Sequence, residues 1–250
     1  MSELINLIWQ AGCPERGENV SGSGKSSLRH SACRRIAFRE CFPARVWLCL
    51  GAVLLTQVLI YFGTGALVSC MPLHRLETPL DLKIPFVPAW VTVYFLAYLS
   101  WAVNAVLILS DPPTRAYRFT CAYIIAILFS GVFFLAWPGT IDRPEPVGSG
   151  FFVNWVRLLY RLDEPRNLCP SLHVMASYFC WRALRESRRV PCWYRYFNFI
   201  FMIMVCLSIL FVKQHALVDI PAAVIVAELS LQAARFFRLE RIPLRWKRIL

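Results

Sequence analysis

Two histidines are spaced to do chemistry. His215 is followed four residues later by Asp219, and His173 follows Pro170 and Ser171. A carboxylate that accepts the proton on one imidazole nitrogen fixes the tautomer and leaves the other nitrogen with a free lone pair, as a nucleophilic histidine requires. Helix positions i and i+4 share a face, so the spacing predicts that Asp219 reaches His215 along a helix. Pro170-Ser171 is a favourable helix start, with proline tolerated in the first turn and serine able to cap. Backbone N–H groups at such a start, with the positive end of the helix dipole, bind anions such as phosphate. Arg143, followed by Pro144, offers a guanidinium to the same anion. His30 and His74 have no partner at useful spacing and are read as ordinary tail and loop residues.

The elements that must position these groups are apolar. With 58% apolar residues in 250 and a positive mean hydropathy, the chain exceeds what a soluble domain needs. About 20 apolar residues cross roughly 30 Å of hydrocarbon as a helix, and that criterion selects six segments: 46–62, 88–110, 117–137, 171–184, 196–212 and 216–237. The expected fold is therefore all-α, a polytopic membrane protein with a six-transmembrane-helix bundle over residues 41–250, behind a polar cytoplasmic tail at 1–40. His173 and His215 then sit where the fourth and sixth helices begin, on one side of the bilayer. Two helix N-termini would face a shared phosphate. In the loop 138–170, residues 151–162 place Asn154, Arg157 and Arg161 on one stripe of an otherwise apolar helix. It either lies in the headgroup plane or packs on the bundle. Glu228 falls on the face opposite Asp219 and is read as a structural acid bonded to a neighbouring helix.

Positive charge sets the orientation. Of the 27 Lys and Arg, 20 fall on the side of the N-terminus and 7 on the other, so both termini are expected in the cytoplasm and the histidines outside it. The net charge of +12 sits between apolar runs and at the two ends, which fits anionic lipid headgroups and not nucleic acid. The stretch 22–26 resembles the end of a phosphate-binding P-loop, but Asn19 stands where the motif needs glycine; it reads as a flexible Gly/Ser segment. Ten cysteines show no Cys-x-x-Cys spacing. Cys70 and Cys169, the two assigned to outer loops, are a candidate disulfide. The rival to an enzyme is a non-enzymatic transporter or membrane scaffold, which predicts polar pairs near the bilayer midplane or interrupted helices.

The residues resemble those of the membrane-bound type-2 phosphatidic acid phosphatase superfamily, and within it the branch of inositol phosphorylceramide synthase and related phosphotransferases. The resemblance covers about residues 80 to 225. It rests on Ile84-Pro85-Phe86, on Arg143-Pro144, on Asn167-Leu-Cys-Pro-Ser-Leu-His173, and on Ser208 through Lys213-Gln214-His215 to Asp219. It implies a six-helix bundle, no metal or other cofactor, and a phosphohistidine intermediate. His215 would be the nucleophile, Asp219 its orienting partner and His173 the general acid on the leaving oxygen. Ser171 and Arg143 would bind phosphate. The substrate implied is a lipid phosphate or phospholipid, with water or an alcohol as acceptor. Three positions depart from the classical phosphatases: Ala136 replaces a lysine, Leu172 a glycine and Ile209 an arginine. Two phosphate-binding cations are thus absent, Lys213 is a candidate replacement for one, and the departures favour the synthase-like branch.

Overall fold

The computed structural model describes residues 44–187 and 189–241. The polar tail at 1–40, its 22–26 stretch and the last basic residues lie outside them. In chain order the helices are α1 (Ala44–Val68), α2 (Pro79–Lys83), α3 (Val91–Leu109), α4 (Pro113–Ala136), α5 (Phe151–Leu162), α6 (Leu172–Glu186), α7 (Cys192–Phe211) and α8 (Asp219–Phe236). A short parallel bridge pairs β1 (His74–Arg75) with β2 (Gly139–Thr140).

Among the described residues, four helices are long and apolar enough to cross a membrane: α1, α3 with its entering 3-10 turn Pro88–Trp90, α4 and α7. The chain is a largely α-helical, multi-pass membrane protein. The other two expected segments are helices as well, but each falls short of a free-standing span for a physical reason. α6 has 15 residues and carries Arg182, Arg185 and Glu186. α8 has 18 and carries Asp219, Glu228 and Arg235. Their charges are paired: Glu228 of α8 accepts hydrogen bonds from Tyr178 Oη (2.6 Å) and Arg182 Nε (3.0 Å) of α6.

α1 shows most plainly what surrounds the protein. Of its 25 residues only Val46, Cys49, Thr64 and Val68 are buried, while Leu48, Leu55, Leu59 and Phe62 are each more than 60% exposed. An apolar face of that size is unfavourable in water and at home in hydrocarbon. Behind it α4 packs against both α1 and α8, and α6 packs against α3, α7 and α8. Gly131 lets α1 and α4 approach, since a Cβ there would lie 2.7 Å from Ile60 Cγ2. Polar side chains join α3 to α7: Asn104 Nδ2 donates to Asn198 Oδ1 (2.6 Å), and Tyr194 Oη donates to Asn104 Oδ1 (2.8 Å).

The two ends of the bundle are organised differently. At the end where α3 hands over to α4 and α6 to α7, Ser187 Oγ donates to Asp111 (3.0 Å), Arg115 pairs with Asp111 (3.3 Å), and Arg189 holds the Ser110 carbonyl (2.7 Å). At the other end lie the β bridge, α2, α5 and both histidines. α5 packs on α3 and the 3-10 turn, with Val156 and Leu159 buried, while Phe151 and Leu162 stay exposed. Arg157 on its polar stripe donates to the Pro146 and Gly148 carbonyls and to Asn154 Oδ1, bracing the loop before the helix.

Candidate functional site

His215 does not sit on a helix. α7 ends in a Schellman turn: Gln214 N–H reaches back to the Ile209 carbonyl (2.8 Å), Lys213 N–H reaches the Leu210 carbonyl (3.1 Å), and Lys213 takes the left-handed conformation (φ 52°). Asp219 is the first residue of α8, so His215 lies in the turn ahead of it, which corrects the expectation of a shared helical face. The pair forms nonetheless, because the turn folds back on the carboxylate. Asp219 Oδ2 accepts from His215 Nδ1 at 2.9 Å and from Ala216 N–H at 3.1 Å. A buried carboxylate can only accept, so Nδ1 carries the proton and Nε2 keeps its lone pair.

His173 lies in the first turn of α6, behind Ser171. Ser171 caps that helix as its spacing predicts, Oγ accepting from Val174 N–H at 3.4 Å, and its own N–H is 3.4 Å from the Asp219 carbonyl. The starts of α6 and α8 are thus stitched together. The two imidazole rings stand 5.7 Å apart, centre to centre, close enough to act on one small group. His173 Nε2 pairs with Tyr98 Oη at 3.0 Å, and Tyr94 packs against its ring at 4.5 Å. A hydroxyl both donates and accepts, so this contact accommodates His173 with or without a proton on Nε2.

Both rings line a cavity of about 520 Å³. Its walls are apolar and aromatic, with Val58 and Phe62 from α1, Phe95 and Trp101 from α3, and Leu159 and Leu162 from α5. Its polar lining includes Arg143, Asp163, Arg166, Asn167 and Gln214 beside the histidines. Arg143 is held on several sides. Nη1 donates to the Asp163 carbonyl (2.6 Å), Nη2 to Gln214 Oε1, and the guanidinium lies 4.8 Å from the Tyr160 ring centre. Burial pulls its pKa below the ordinary arginine value, with Asp163 opposing; a guanidinium stays cationic regardless.

The loose ends are informative. Among the described residues, the buried side-chain atoms without a hydrogen-bond partner include Arg143 Nε and Gln214 Nε2. Gln214 must turn Oε1 toward the guanidinium, which has only donors, so its NH₂ is the unpartnered group. A buried donor left unpaired costs about 1–3 kcal/mol. One of the two is on the Arg143 guanidinium itself and the other on the amide next to it, and Asn167 Oδ1 of the same lining is an unpaired acceptor.

The remaining expected groups are placed elsewhere. Ser171 is fully buried and spends its hydroxyl on the cap; it is not part of the cavity wall. Lys213 is not in the wall either. Its left-handed backbone turns the side chain outward, where Nζ donates to the Asp81 carbonyl at 2.8 Å. Nor is the start of α8 open to a phosphate, since the Ala216 and Leu217 N–H groups are taken by the Asp219 and Asp81 carboxylates (3.1 and 2.7 Å). Cys70 and Cys169 are free. Cys169 is drawn inward beside Asp219, and burial together with that carboxylate pushes its thiol up to about 12.

Three participants, Asp163, Tyr98 and Arg166, carry no local signal in the sequence. Asp163 takes hydrogen bonds from the Tyr61 and Tyr94 hydroxyls, 102 and 69 residues away. Tyr98 meets His173 across 75 residues. Arg166 enters the cavity wall while pairing with the largely exposed Glu164 at 2.8 Å, a contact of low strength that leaves it free to turn. Gln214, adjacent to His215, could have been suspected from its position alone.

No protein-family model matches the chain, and neither a curated protein nor a solved structure matches it.

Proposed function

We propose that this protein is a metal-independent lipid phosphatase or phosphotransferase that works through a phosphohistidine on His215. The observation that carries the reading is the pairing of an Asp219-oriented His215 with His173 across a cavity that also holds the Arg143 guanidinium and the Gln214 amide beside it. His215 Nε2 attacks phosphorus, the bond from phosphorus to the leaving oxygen breaks, and protonated His173 gives that oxygen its proton. His173 then takes a proton from water or an acceptor alcohol, whose oxygen attacks phosphorus as the P–N bond breaks. Arg143 and Gln214 hold the non-bridging oxygens, and Arg166 is placed to join them. The apolar walls, continuous with the lipid-facing surfaces of α1 and α3, suit an acyl tail.

The reading includes six crossings, with α6 and α8 as the shorter two, both termini cytoplasmic and the cavity facing outward. A transporter built on interrupted helices fits less well, because α1, α3, α4 and α7 run unbroken, and the two histidines, Arg143 and Gln214 line one cavity at one end of the bundle.

Purified protein in mixed micelles is expected to release inorganic phosphate from phosphatidic acid, or to move a headgroup phosphate from a phospholipid such as phosphatidylinositol onto an added lipid alcohol. Following free phosphate and both lipid products separates hydrolysis from transfer. A panel of lipid phosphates and phospholipids left untouched would defeat the reading. Orientation has its own test. Single cysteines in a cysteine-depleted variant should react with an impermeant reagent in intact cells when placed in 144–150, and stay unlabelled when placed in 188–191; the reverse pattern would invert the topology.

A further inference from the structure

α2 has only five residues, yet one of them grips both ends of the turn that carries His215. Asp81 is 4% exposed. Its Oδ2 accepts from Thr78 N–H (2.8 Å) and Thr78 Oγ1 (2.6 Å), closing a capping box that fixes the side chain. Its Oδ1 accepts from Leu217 N–H at 2.7 Å, and its carbonyl accepts from Lys213 Nζ at 2.8 Å. Lys213 and Leu217 flank His215 by two residues on each side. A left-handed lysine at Lys213 and a helix start whose N–H groups need acceptors are both settled by the same residue.

We propose that Asp81 is a positioning residue for His215, setting where the imidazole stands relative to Arg143 and His173. The surrounding segment ties the same two parts together. Glu77 accepts from Asp142 N–H, Arg75 pairs with Asp142 next to Arg143, and Val87 N–H bonds the Phe211 carbonyl (2.9 Å) at the end of α7. Residues 74–87 therefore brace the arm that bears the guanidinium and the turn that bears the nucleophile. Burial works to raise the Asp81 carboxyl, but the Thr78 and Leu217 hydrogen bonds, with Lys213 nearby, outweigh it and hold the group below the usual carboxylate range. It is an acceptor at neutral pH.

The proposal rests on the reading of His215 as the nucleophile, so its test has two arms, both on the full chain in detergent micelles. In the first, hydrogen exchange is followed in peptides covering 212–219. Asp81→Ala should speed exchange there by about tenfold or more, and unchanged exchange overturns the proposal whatever the activity. In the second, turnover of phosphatidic acid or phosphatidylinositol, whichever the wild type uses, is compared for Asp81→Ala, Asp81→Asn and His215→Ala. A displaced nucleophile should cost Asp81→Ala about 10²-fold in kcat with KM little changed. Asp81→Asn, which keeps an acceptor for Leu217 N–H, should recover most of that loss. Should Asp81→Ala fail to fold, Asp81→Asn and Lys213→Met carry both arms, each with a smaller effect of the same kind. A purely structural Asp81 would lower yield and Tm while the folded fraction kept its kcat, and that result overturns the proposal. Activity that survives His215→Ala defeats the nucleophile reading instead, and the exchange arm alone then decides whether Asp81 holds the turn.

Discussion

His215→Ala is expected to abolish turnover, and to do so without unfolding the protein. The imidazole is mostly buried and bonded to Asp219, but it caps no helix and lines an existing cavity, so truncation enlarges that space instead of breaking the core. What disappears is the only nucleophile the mechanism has. On the proposed reading Arg143 and Gln214 remain to bind the phosphate oxygens, so substrate binding should outlast catalysis. The wild type quenched during turnover in neutral or alkaline denaturant should carry phosphate on the peptide containing His215, because a P–N bond survives there and is lost in acid. His215→Ala should carry none. Near-normal turnover in this variant would end the phosphohistidine mechanism.

His173→Ala should lose about 10²- to 10⁴-fold, the range for removing a positioned general acid or base. The loss depends on the leaving group. An alkoxide leaving a lipid needs the proton; p-nitrophenolate does not. With p-nitrophenyl phosphate as a soluble probe, the variant should therefore form the phospho-enzyme with much less impairment, while its breakdown, which needs His173 as base, stays slow. The expected signature is a burst of p-nitrophenolate, stoichiometric with protein, followed by a slow steady state. On the proposed mechanism the two histidines act on one reaction coordinate, so His173→Ala combined with His215→Ala should be little worse than His215→Ala alone. Equal impairment toward both leaving groups, with no burst, would remove His173 from the acid and base role and leave it a neighbour of Tyr98.

The parts of this arrangement that could be read from the chain are those written locally. Apolar runs marked the helices because the hydrocarbon demands length and little else, and the stripe at 151–162 marked α5 with the same boundaries the structure gives it. His215 and Asp219 were found by spacing, though for an incomplete reason: the turn brings them together, not a helical face. Lys213 shows the opposite failure. Its type and place suggested a phosphate ligand, but a left-handed backbone conformation cannot be seen in a lysine, and it sends the side chain to Asp81. Asp81 itself was out of reach, since its partner Leu217 lies 136 residues away and no local pattern encodes that meeting. Asp163, Tyr98 and Arg166 were missed for the same reason. The cavity is made by α1, α3 and α5 converging, and only the fold specifies that.

The charges on α6 and α8 bear on how the protein is made. A charged residue near the centre of a membrane helix costs about 2.5–3.5 kcal/mol on insertion, less toward the ends. α1, α3, α4 and α7 meet no such charge in their apolar stretches and can partition into the bilayer one at a time as they emerge. α6 and α8 cannot do so as cheaply, because Glu228 meets its partners Arg182 and Tyr178 only when both helices are present. On the six-crossing reading, biogenesis therefore has an order: the apolar helices enter first, and α6 waits at the membrane surface or against α3 until α8 is synthesised. His173 lies on α6, and His215 lies in the turn that Asp219, the first residue of α8, holds in place. A nascent or truncated chain that ends before α8 lacks Asp219, the partner that orients His215, so on the proposed reading a half-inserted chain could not begin modifying the lipids around it.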